Sequence, residues 1–256
     1  QFKVIIINFT LLMKFGNAMV RRIMGTLILF LAGNPCHLAD QNISLNDADI
    51  GILVSTNGVG FTSSFPIPLE HKELQSVVNF SFQTIKHPQE AKVQNLNYTN
   101  PKPYIFGKIN QGATLRLGYG LQRQLSKNEK GFPSVSVQLS SGGALGILKP
   151  YYVRFDNPGD QNGTQTIQQN NTTSENQDRI VSPASWTKGF SEITTAAGVH
   201  TSISLDIDWD QSYSHKSLSL GLRADYFFEE FNILLNNNNQ LFLSLFATYS
   251  FGKNRV

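Results

Sequence analysis

Residues 240–251 read Gln-Leu-Phe-Leu-Ser-Leu-Phe-Ala-Thr-Tyr-Ser-Phe, and this stretch decides the fold. Every second side chain from Leu241 to Phe251 is apolar, and the series ends in two aromatic residues, Tyr249 and Phe251. Successive side chains of a strand point to opposite faces, so a period of two over this length predicts a β-strand rather than a helix. An apolar face that ends in aromatic side chains is typical of a lipid-facing strand in an outer-membrane barrel.

The same alternation recurs in other segments, where Leu, Val, Ile and aromatic residues alternate with Ser, Gly, Gln, Asn and a few charges. These segments are residues 77–84, 113–125, 134–141, 199–209 and 217–228. A soluble β-sandwich also alternates, but its outward faces usually carry more Lys and Glu. Here only 15% of residues are charged, against roughly 25% in soluble proteins. The sequence therefore predicts an all-β fold, a closed antiparallel transmembrane β-barrel whose polar face lines the lumen.

The strand count depends on the region around Asn57-Gly58. Apolar residues such as Ile50 hold even positions before this dipeptide, and apolar residues such as Phe61 hold odd positions after it. The change of phase indicates either a tight hairpin, which Asn-Gly strongly favours, or a bulge. A hairpin gives eight strands and a periplasmic N-terminus, and a bulge gives seven. We favour eight, although Tyr104–Lys108 is a second candidate for the extra strand.

The first residues are expected to precede the mature protein. Residues 1–39 are interpreted as upstream sequence and a signal peptide, with Arg21 and Arg22 as its charged region and residues 23–32 as its apolar region. A membrane-spanning helix is the alternative, but each apolar run is about half of the ~20 residues that a helix needs. Residues 40–256 are predicted to form the barrel, located in the cell outer membrane.

The connections between the predicted strands fall into two groups. Barrels of this class have short periplasmic turns and longer extracellular loops. The predicted periplasmic turns are 126–133 and 210–216, and the predicted extracellular connections are 86–111, 155–192 and 229–239. The connection 155–192 is rich in Asn, Gln, Thr and Gly, a composition that is expected to bury no core and to be mobile.

Several motifs resemble a known family. They are Lys86-His-Pro-Gln-Glu, Asn100-Pro-Lys-Pro-Tyr-Ile-Phe-Gly-Lys-Ile-Asn, Leu115-Arg-Leu-Gly-Tyr-Gly, Ser140-Ser-Gly-Gly-Ala-Leu-Gly-Ile-Leu-Lys-Pro-Tyr-Tyr, Lys188-Gly-Phe-Ser-Glu and Phe251-Gly-Lys. Together they resemble an uncharacterised family of Bacteroidota outer-membrane β-barrel proteins, in the same order along residues 50–253. The resemblance implies the fold and the outer-membrane location. It implies no activity, so it supplies no functional residues.

Two sets of side chains are candidate functional residues. The predicted lumen network comprises Arg116, Arg223, Asp206, Asp208, Asp225 and His200. An eight-stranded barrel is just wide enough for side chains to fill it, and unpaired buried charges are costly, so these residues are expected to form ion pairs and hydrogen bonds. A selective pore or a proton-linked site is the alternative. The predicted interface aromatics are Tyr249, Phe251, Tyr226 and Trp209.

The sequence contains few motifs that would indicate a catalytic or a metal-binding site. His200 with Ser202, or His215 with Ser214 or Ser217, would suit a lipid hydrolase if they lay within hydrogen-bond reach. No Gly-x-Ser-x-Gly elbow is present, so no catalytic residue is predicted. The five histidines lack paired spacing, which predicts no metal and no cofactor. The net charge of +3 and the lack of a basic cluster among aromatics argue against a nucleic-acid partner.

The expected function is therefore structural or interaction-based: a scaffold or an accessory subunit of an outer-membrane assembly. The expected partners are outer-membrane lipids and other outer-membrane proteins. Lys149-Pro150-Tyr151-Tyr152 and Lys86-His87-Pro88 lie near predicted outer strand ends, where Lys would meet lipopolysaccharide phosphates or a partner, or would anchor the interface with Tyr. An outer-membrane lipid-modifying enzyme and a narrow pore are the alternatives.

Overall fold

The computed structural model describes residues 48–68, 74–98, 102–126, 133–156, 165–170, 177–211, 214–235 and 239–253. The predicted leader in residues 1–39 lies outside these ranges. Within the described ranges, the chain forms thirteen strands and two short 3₁₀ helices. No helix in this part of the chain is long and apolar enough to cross a membrane.

The strands are numbered in chain order. They are β1 Asp49–Ser55, β2 Gly58–Pro68, β3 Leu74–Ile85, β4 Lys92–Val93, β5 Tyr104–Ile105, β6 Asn110–Ser126, β7 Ser134–Pro150, β8 Tyr152–Asp156, β9 Gln165–Gln169, β10 Ile180–Pro183, β11 Thr194–Gln211, β12 Ser214–Phe231 and β13 Asn239–Lys253. The 3₁₀ helices are Gln177–Arg179 and Phe190–Glu192.

Eight of these strands close into a barrel. Their order around the barrel is β1-β13-β12-β11-β7-β6-β3-β2, and every neighbouring pair is antiparallel. The first and last strands complete the ring, with Ile52 opposite Tyr249. The predicted all-β, closed antiparallel barrel of eight strands is confirmed.

The Asn57-Gly58 region is the predicted hairpin and not a bulge. Ser55 lies opposite Gly58, and the Ser55 hydroxyl donates to the Gly58 carbonyl across 3.1 Å. The turn restarts the alternation, which explains the change of phase in the sequence. The other candidate for the extra strand was wrong, because Tyr104–Ile105 pairs with Lys92–Val93 in a small sheet outside the barrel.

The barrel has two different ends. One end of the barrel, here called the turn end, holds the start of β1, the end of β13, the ends of β2, β6 and β11 and the starts of β3, β7 and β12. The other end, here called the loop end, holds the ends of β1, β3, β7 and β12 and the starts of β2, β6, β11 and β13. This division follows from the up-and-down order of the strands. The two longest connections, 86–109 and 151–193, both start and finish at the loop end, where the short hairpin at Asn57-Gly58 also lies.

The outer surface carries an apolar belt between two aromatic levels. Pairing places Trp209, Lys216 and Phe251 at one level, and Tyr226 lies ten residues beyond Lys216 on β12. Ten residues of strand rise about 34 Å, or about 25 Å along the axis at a tilt of about 45°, which matches the lipid-facing band of outer-membrane barrels. The barrel therefore spans the outer membrane, and its closed sheet leaves its backbone paired within the ring.

The lumen is polar toward the turn end and apolar toward the loop end. The apolar part consists of Ile85, Ala144, Leu148, Ala196, Phe227, Phe231, Ile233, Leu234 and Phe242, all buried. Phe227 and Phe231 stack at 4.5 Å between ring centres, and Phe242 meets both edge-on. We call this cluster the apolar plug. The predicted segment ended at residue 141, but β7 continues to Pro150. Its lumen face is apolar in this part, so the sequence no longer alternates.

A strap across the barrel mouth completes the apolar plug. Residues 232–235 leave β12 and pair with residues 107–110, at the start of β6 across the ring. Ile233 accepts from the Ile109 amide at 2.8 Å, and Leu235 donates to the Gly107 carbonyl at 2.8 Å. Gly107 has a φ of +62°, a backbone conformation that favours glycine. The strap holds Ile233 and Leu234 over the lumen.

The described parts of the long connections form a second core beyond the loop end. A sheet of order β10-β8-β9 and the β4-β5 pair bury Tyr104, Tyr151, Val153, Phe155 and Ile180. We call this structure the loop platform. The expectation that connection 155–192 buries no core was wrong, because its two ends supply Phe155 and Ile180. Residues 157–164 and 171–176, which hold most of the Asn-rich stretch, lie outside the described residues.

Substitution of Gly146 tests the apolar plug. A Cβ at Gly146 would lie 2.8 Å from Phe227 Cε1 and would also clash with Phe231. We expect Gly146→Ala to destabilise the barrel by about 1–3 kcal/mol, because the packed rings must shift. The measurement is the temperature at which the compact form on an SDS gel converts to the unfolded mobility. Gly143→Ala is the matched control, since nothing lies within 4 Å of its added Cβ; equal midpoints for the two variants would contradict the prediction.

Candidate functional site

An ion pair crosses the middle of the lumen. Arg116 on β6 donates through Nε to Asp225 Oδ1 at 2.6 Å and through Nη2 to Asp225 Oδ2 at 2.8 Å. Both side chains are 2% exposed. Two parallel hydrogen bonds between a guanidinium and a carboxylate fix direction as well as distance. This pair crosses the lumen, because β6 and β12 are separated in the ring by β7 and β11 on one side and by four strands on the other.

Gln83 on β3 extends this pair into a network. Its Oε1 accepts from Arg116 Nη1 and from Arg223 Nη1, each at 3.2 Å. Its amide nitrogen donates to the Ser55 hydroxyl on β1. The network thus ties together four strands. Gln83 alternates inward in the sequence, but no local signal identifies its role, since its partners are far away along the chain.

Arg223 has a different environment from Arg116. Its guanidinium carbon lies 4.3 Å from the centre of the Phe246 ring. Its Nε has no hydrogen-bond partner among the described residues. The carboxylate of Asp225 is already engaged by Arg116, so Arg223 is a buried cation held by an amide oxygen and an aromatic face.

His200 and Ser202 do not form a nucleophile–base pair. The His200 Nδ1 lies 3.2 Å from the Gly143 carbonyl, to which it donates, and the other side of the ring packs against Gly118. The Ser202 hydroxyl is engaged with the Ser140 hydroxyl at 2.8 Å. Activation of a serine requires the base within hydrogen-bond reach, and this arrangement does not provide it.

The other two predicted acidic residues of the lumen, Asp206 and Asp208, lie nearer the turn end than Asp225 does. Ser204 donates to Asp206 Oδ1 at 3.0 Å, while Asp206 Oδ2 has no hydrogen-bond partner among the described residues. His215 Nε2 lies 3.6 Å from Asp208 Oδ1. The structure therefore brings Arg116, Arg223, Asp225 and His200 together in mid-lumen and places Asp206 and Asp208 below them. Within the described residues, no group of three or more His, Cys, Asp or Glu is placed to hold a metal ion.

The four predicted interface aromatics all face outward. Trp209, Tyr249 and Phe251 lie at the turn end and are exposed, with Tyr249 and Phe251 in edge contact at 4.7 Å. Tyr226 lies toward the loop end, in edge contact with Phe228 at 6.1 Å. The aromatics thus lie at both boundaries of the apolar belt, as an aromatic girdle does.

The Lys149–Tyr152 motif is structural, which corrects the expectation of lipid contact or interfacial anchoring. Lys149 Nζ donates to the carbonyls of Trp186 and Lys188 at 2.9 and 3.1 Å. Tyr151 is buried in the core of the loop platform. The Tyr152 hydroxyl lies 2.8 and 2.7 Å from the two carboxylate oxygens of Glu192, and it donates to that carboxylate. The motif fastens residues 184–192 to the barrel.

An exposed aromatic pair rests on this support. Trp186 and Phe190 contact edge-to-face at 4.9 Å, and they are 70% and 45% exposed. The Lys149 ammonium lies 5.1 Å from the Phe190 ring centre and 5.8 Å from that of Trp186. We call Trp186 and Phe190 the aromatic pair. Neither residue belongs to an alternating segment, so the sequence pattern does not identify the pair.

In the Lys86–Pro88 motif only His87 turns inward, while Lys86 and Pro88 are exposed. His87 is buried; its Nδ1 accepts from the Gln89 amide at 3.2 Å, and its Nε2 lies 3.1 Å from the side-chain amide of Asn239. Glu90 pairs with Lys108 at 2.7 Å. Burial lowers the pKa of His87, although Glu90 opposes this shift. Burial likewise lowers the pKa of Lys108 against the effect of Glu90. His87 is thus neutral at neutral pH.

Comparisons with known proteins give structural neighbours. No protein-family model matches the chain, and no curated protein sequence matches it significantly. The chain is similar to the crystal structure of Neisserial surface protein A, with 11% identity, a TM-score of 0.36, and coverage of 80% of this chain and 92% of that chain. It is also similar to Ail, the attachment invasion locus protein of Yersinia pestis, in complex with the heparin analogue sucrose octasulfate, with 8% identity, a TM-score of 0.39, and coverage of 81% and 96%. A further structure of Ail gives 7% identity, a TM-score of 0.38, and coverage of 81% and 95%.

Neutralising Asp225 tests the central ion pair. We expect Asp225→Asn to destabilise the barrel by about 3–5 kcal/mol, because Arg116 keeps a buried charge without its partner. The measurement is the urea midpoint of the folded barrel in detergent. Asp208→Asn is the matched control, since Asp208 is less buried and its contact with His215 is longer. The double variant Arg116→Met with Asp225→Leu should recover much of the loss. A midpoint for Asp225→Asn like that of Asp208→Asn would contradict the role of the pair.

Protonation of His87 tests the hydrogen bond between its Nδ1 and the Gln89 amide. The folded state lowers the pKa of His87 from its ordinary value of 6.5, so its contribution to stability is complete above that value and is lost as the pH falls below it. A protonated Nδ1 cannot accept from the Gln89 amide. We expect faster hydrogen exchange in residues 86–98 at about pH 5 than at about pH 7.5, after correction for intrinsic rates. His87→Asn keeps an acceptor without titrating, so its corrected exchange should not change; equal changes in both proteins would refute the assignment.

Proposed function

We propose that this chain has a structural or interaction role in the outer membrane, as a scaffold or accessory subunit of a larger outer-membrane assembly. The loop platform is the binding surface in this proposal, and another outer-membrane protein is the partner. One observation carries it: the lumen is filled with side chains, while the described parts of the long connections pack into a supported surface that exposes the aromatic pair.

The filled lumen argues against the narrow pore. The Arg116–Asp225 pair crosses mid-lumen, and the apolar plug and strap close the loop end above it. An ion crossing this path would have to break the central pair and then pass stacked phenylalanine rings. Charged species avoid such low-dielectric surroundings unless they are paired.

The support beneath the aromatic pair favours a binding role. Trp and Tyr dominate binding hot spots, since they bury a large area with few rotatable bonds. Lys149 and the Tyr152–Glu192 hydrogen bonds hold residues 186–192 against the barrel end before any partner arrives. Such preorganisation reduces the entropy lost on association.

The proposal also covers the orientation of the barrel in the membrane and the family to which the chain belongs. We place the loop end outside the cell, because outer-membrane barrels carry their longer connections there. The motif resemblance supports membership of the Bacteroidota barrel family, and this assignment remains part of the proposal.

Photo-crosslinking at Trp186 tests the proposed surface. A photoreactive amino acid replaces Trp186 in one protein and Leu220, which faces the mid-belt lipid, in a control. We expect a protein adduct of discrete mass from position 186 and none from position 220. Trp186→Ala with Phe190→Ala should remove the same complex from a native gel in mild detergent, while the heat-dependent mobility shift of the barrel persists. Lipid adducts alone at position 186, or an unchanged complex in the double variant, would overturn the proposal.

Two further measurements separate the alternatives. A pore predicts conductance in planar bilayers, whereas the filled lumen predicts none. A lipid-modifying enzyme predicts that Ser202→Ala abolishes turnover of lipopolysaccharide or phospholipid without loss of stability. The proposed role predicts no turnover by either protein.

A further inference from the structure

Arg223 carries a buried charge that the lumen network does not neutralise. Arg116 and Arg223 bring two positive charges to mid-lumen, and Asp225 brings one negative charge, with both of its oxygens bonded to Arg116. Arg223 is 8% exposed. A guanidinium keeps its proton at any cellular pH, so Arg223 cannot relieve the cost by becoming neutral.

The next carboxylate is too far away to compensate. Asp206 lies opposite Ser219, four residues from Arg223 on β12, which is about 13 Å of strand. Phe246 lies against the guanidinium on this side, and Nη1 of Arg223 is directed at Gln83 on β3. The hydrogen bond that Arg223 donates to the Gln83 amide oxygen and the contact with the Phe246 ring reduce the cost of the charge but do not balance it.

Two donors without partners lie at paired positions beside this charge. Arg223 Nε and Ser244 Oγ both lack hydrogen-bond partners among the described residues. Arg223 and Ser244 are directly paired on β12 and β13, and both side chains are buried in the lumen. An orphaned buried donor costs free energy comparable to a lost hydrogen bond. Two such donors at paired positions, next to an excess positive charge, are the groups with which a protein binds a small anion.

Small residues flank Arg223 on the neighbouring strands. Ser244 and Ser202 are its direct pairing partners, and Ser140 and Gly120 continue the same row of paired residues. The adjacent lumen-facing rows hold larger groups, with Phe242, Asp225 and His200 toward the loop end and Phe246 toward the turn end. The strands next to Arg223 therefore present small side chains beside its uncompensated charge, while Gln83 and Phe246 contact the guanidinium itself.

We propose that the lumen binds a small monovalent anion, such as a halide, between the Nε–H of Arg223 and the hydroxyl of Ser244. A water molecule could accept the same hydrogen bonds, but it would leave the net charge buried. An anion satisfies both donors and balances Arg223. The neighbouring large side chains restrict the site to an anion of one or a few atoms. This site is independent of the loop platform and its partner.

Bromide anomalous diffraction tests the site directly. Crystals of the full chain in sodium bromide should give an anomalous peak at the bromine edge in contact with Arg223 Nε and Ser244 Oγ. Arg223→Gln should lose this peak. Arg123→Gln is the matched control, because Arg123 is exposed near the end of β6 and its loss should leave the peak in place. No peak at Arg223 in the wild type would mean that water occupies the site, and a peak that persists in Arg223→Gln would mean that other groups bind the ion; either result overturns the proposal.

A second variant and a solution measurement guard against misfolding of Arg223→Gln. Ser244→Ala removes one donor and keeps the charge, so the bromide occupancy should fall. The unfolding midpoint of the wild type should be higher in sodium bromide than in sodium gluconate at equal ionic strength, because the large gluconate ion does not fit. Ser244→Ala should reduce this difference, and Arg123→Gln should retain it. Equal wild-type midpoints in the two salts would refute halide binding.

Discussion

Closing an eight-stranded sheet leaves a lumen that side chains must fill, and this constraint governs the rest of the molecule. Every inward residue meets residues from other walls, so polar groups need partners across the ring. The Arg116–Asp225 pair meets this need in mid-lumen, where Gln83 links it to Arg223. Near the loop end the chain uses the opposite solution and fills the lumen with aromatic rings.

The parts of the fold that depend on local pattern could be predicted from the sequence. Alternation located the barrel strands, and the change of phase at Asn57-Gly58 indicated the hairpin. The apolar plug was not predicted, because alternation is visible only where one face is polar. Phe227 faces the lumen and Phe228 faces lipid, so both faces are apolar there and the period of two is lost. The ends of β7 and β12 were therefore placed too early, and the start of β11 was placed too late.

The candidate site was predictable only as a list of inward residues. Alternation placed Arg116, Arg223, Asp225 and His200 on the lumen face, but register decides which of them meet, and register is a property of the closed ring. Gln83 joins two arginines from a third strand. Lys149 and Tyr152 looked like interfacial residues because of their composition, yet their partners, Trp186 and Glu192, come from a distant part of the same connection.

The two halves of the barrel differ in their relation to the loop platform, because only the apolar half supports it. The apolar plug and the strap give the loop end a packed floor, because residues 232–235 cross the mouth and bond to residues 107–110. The platform continues directly from that floor, since β8 starts two residues after β7 ends and Tyr151 between them is part of the platform core. A surface fixed in this way loses little freedom on binding. The polar half has little aromatic packing and is stabilised by paired charges instead. Arg223 is the charge that lacks a carboxylate partner there, because both oxygens of Asp225 bond to Arg116.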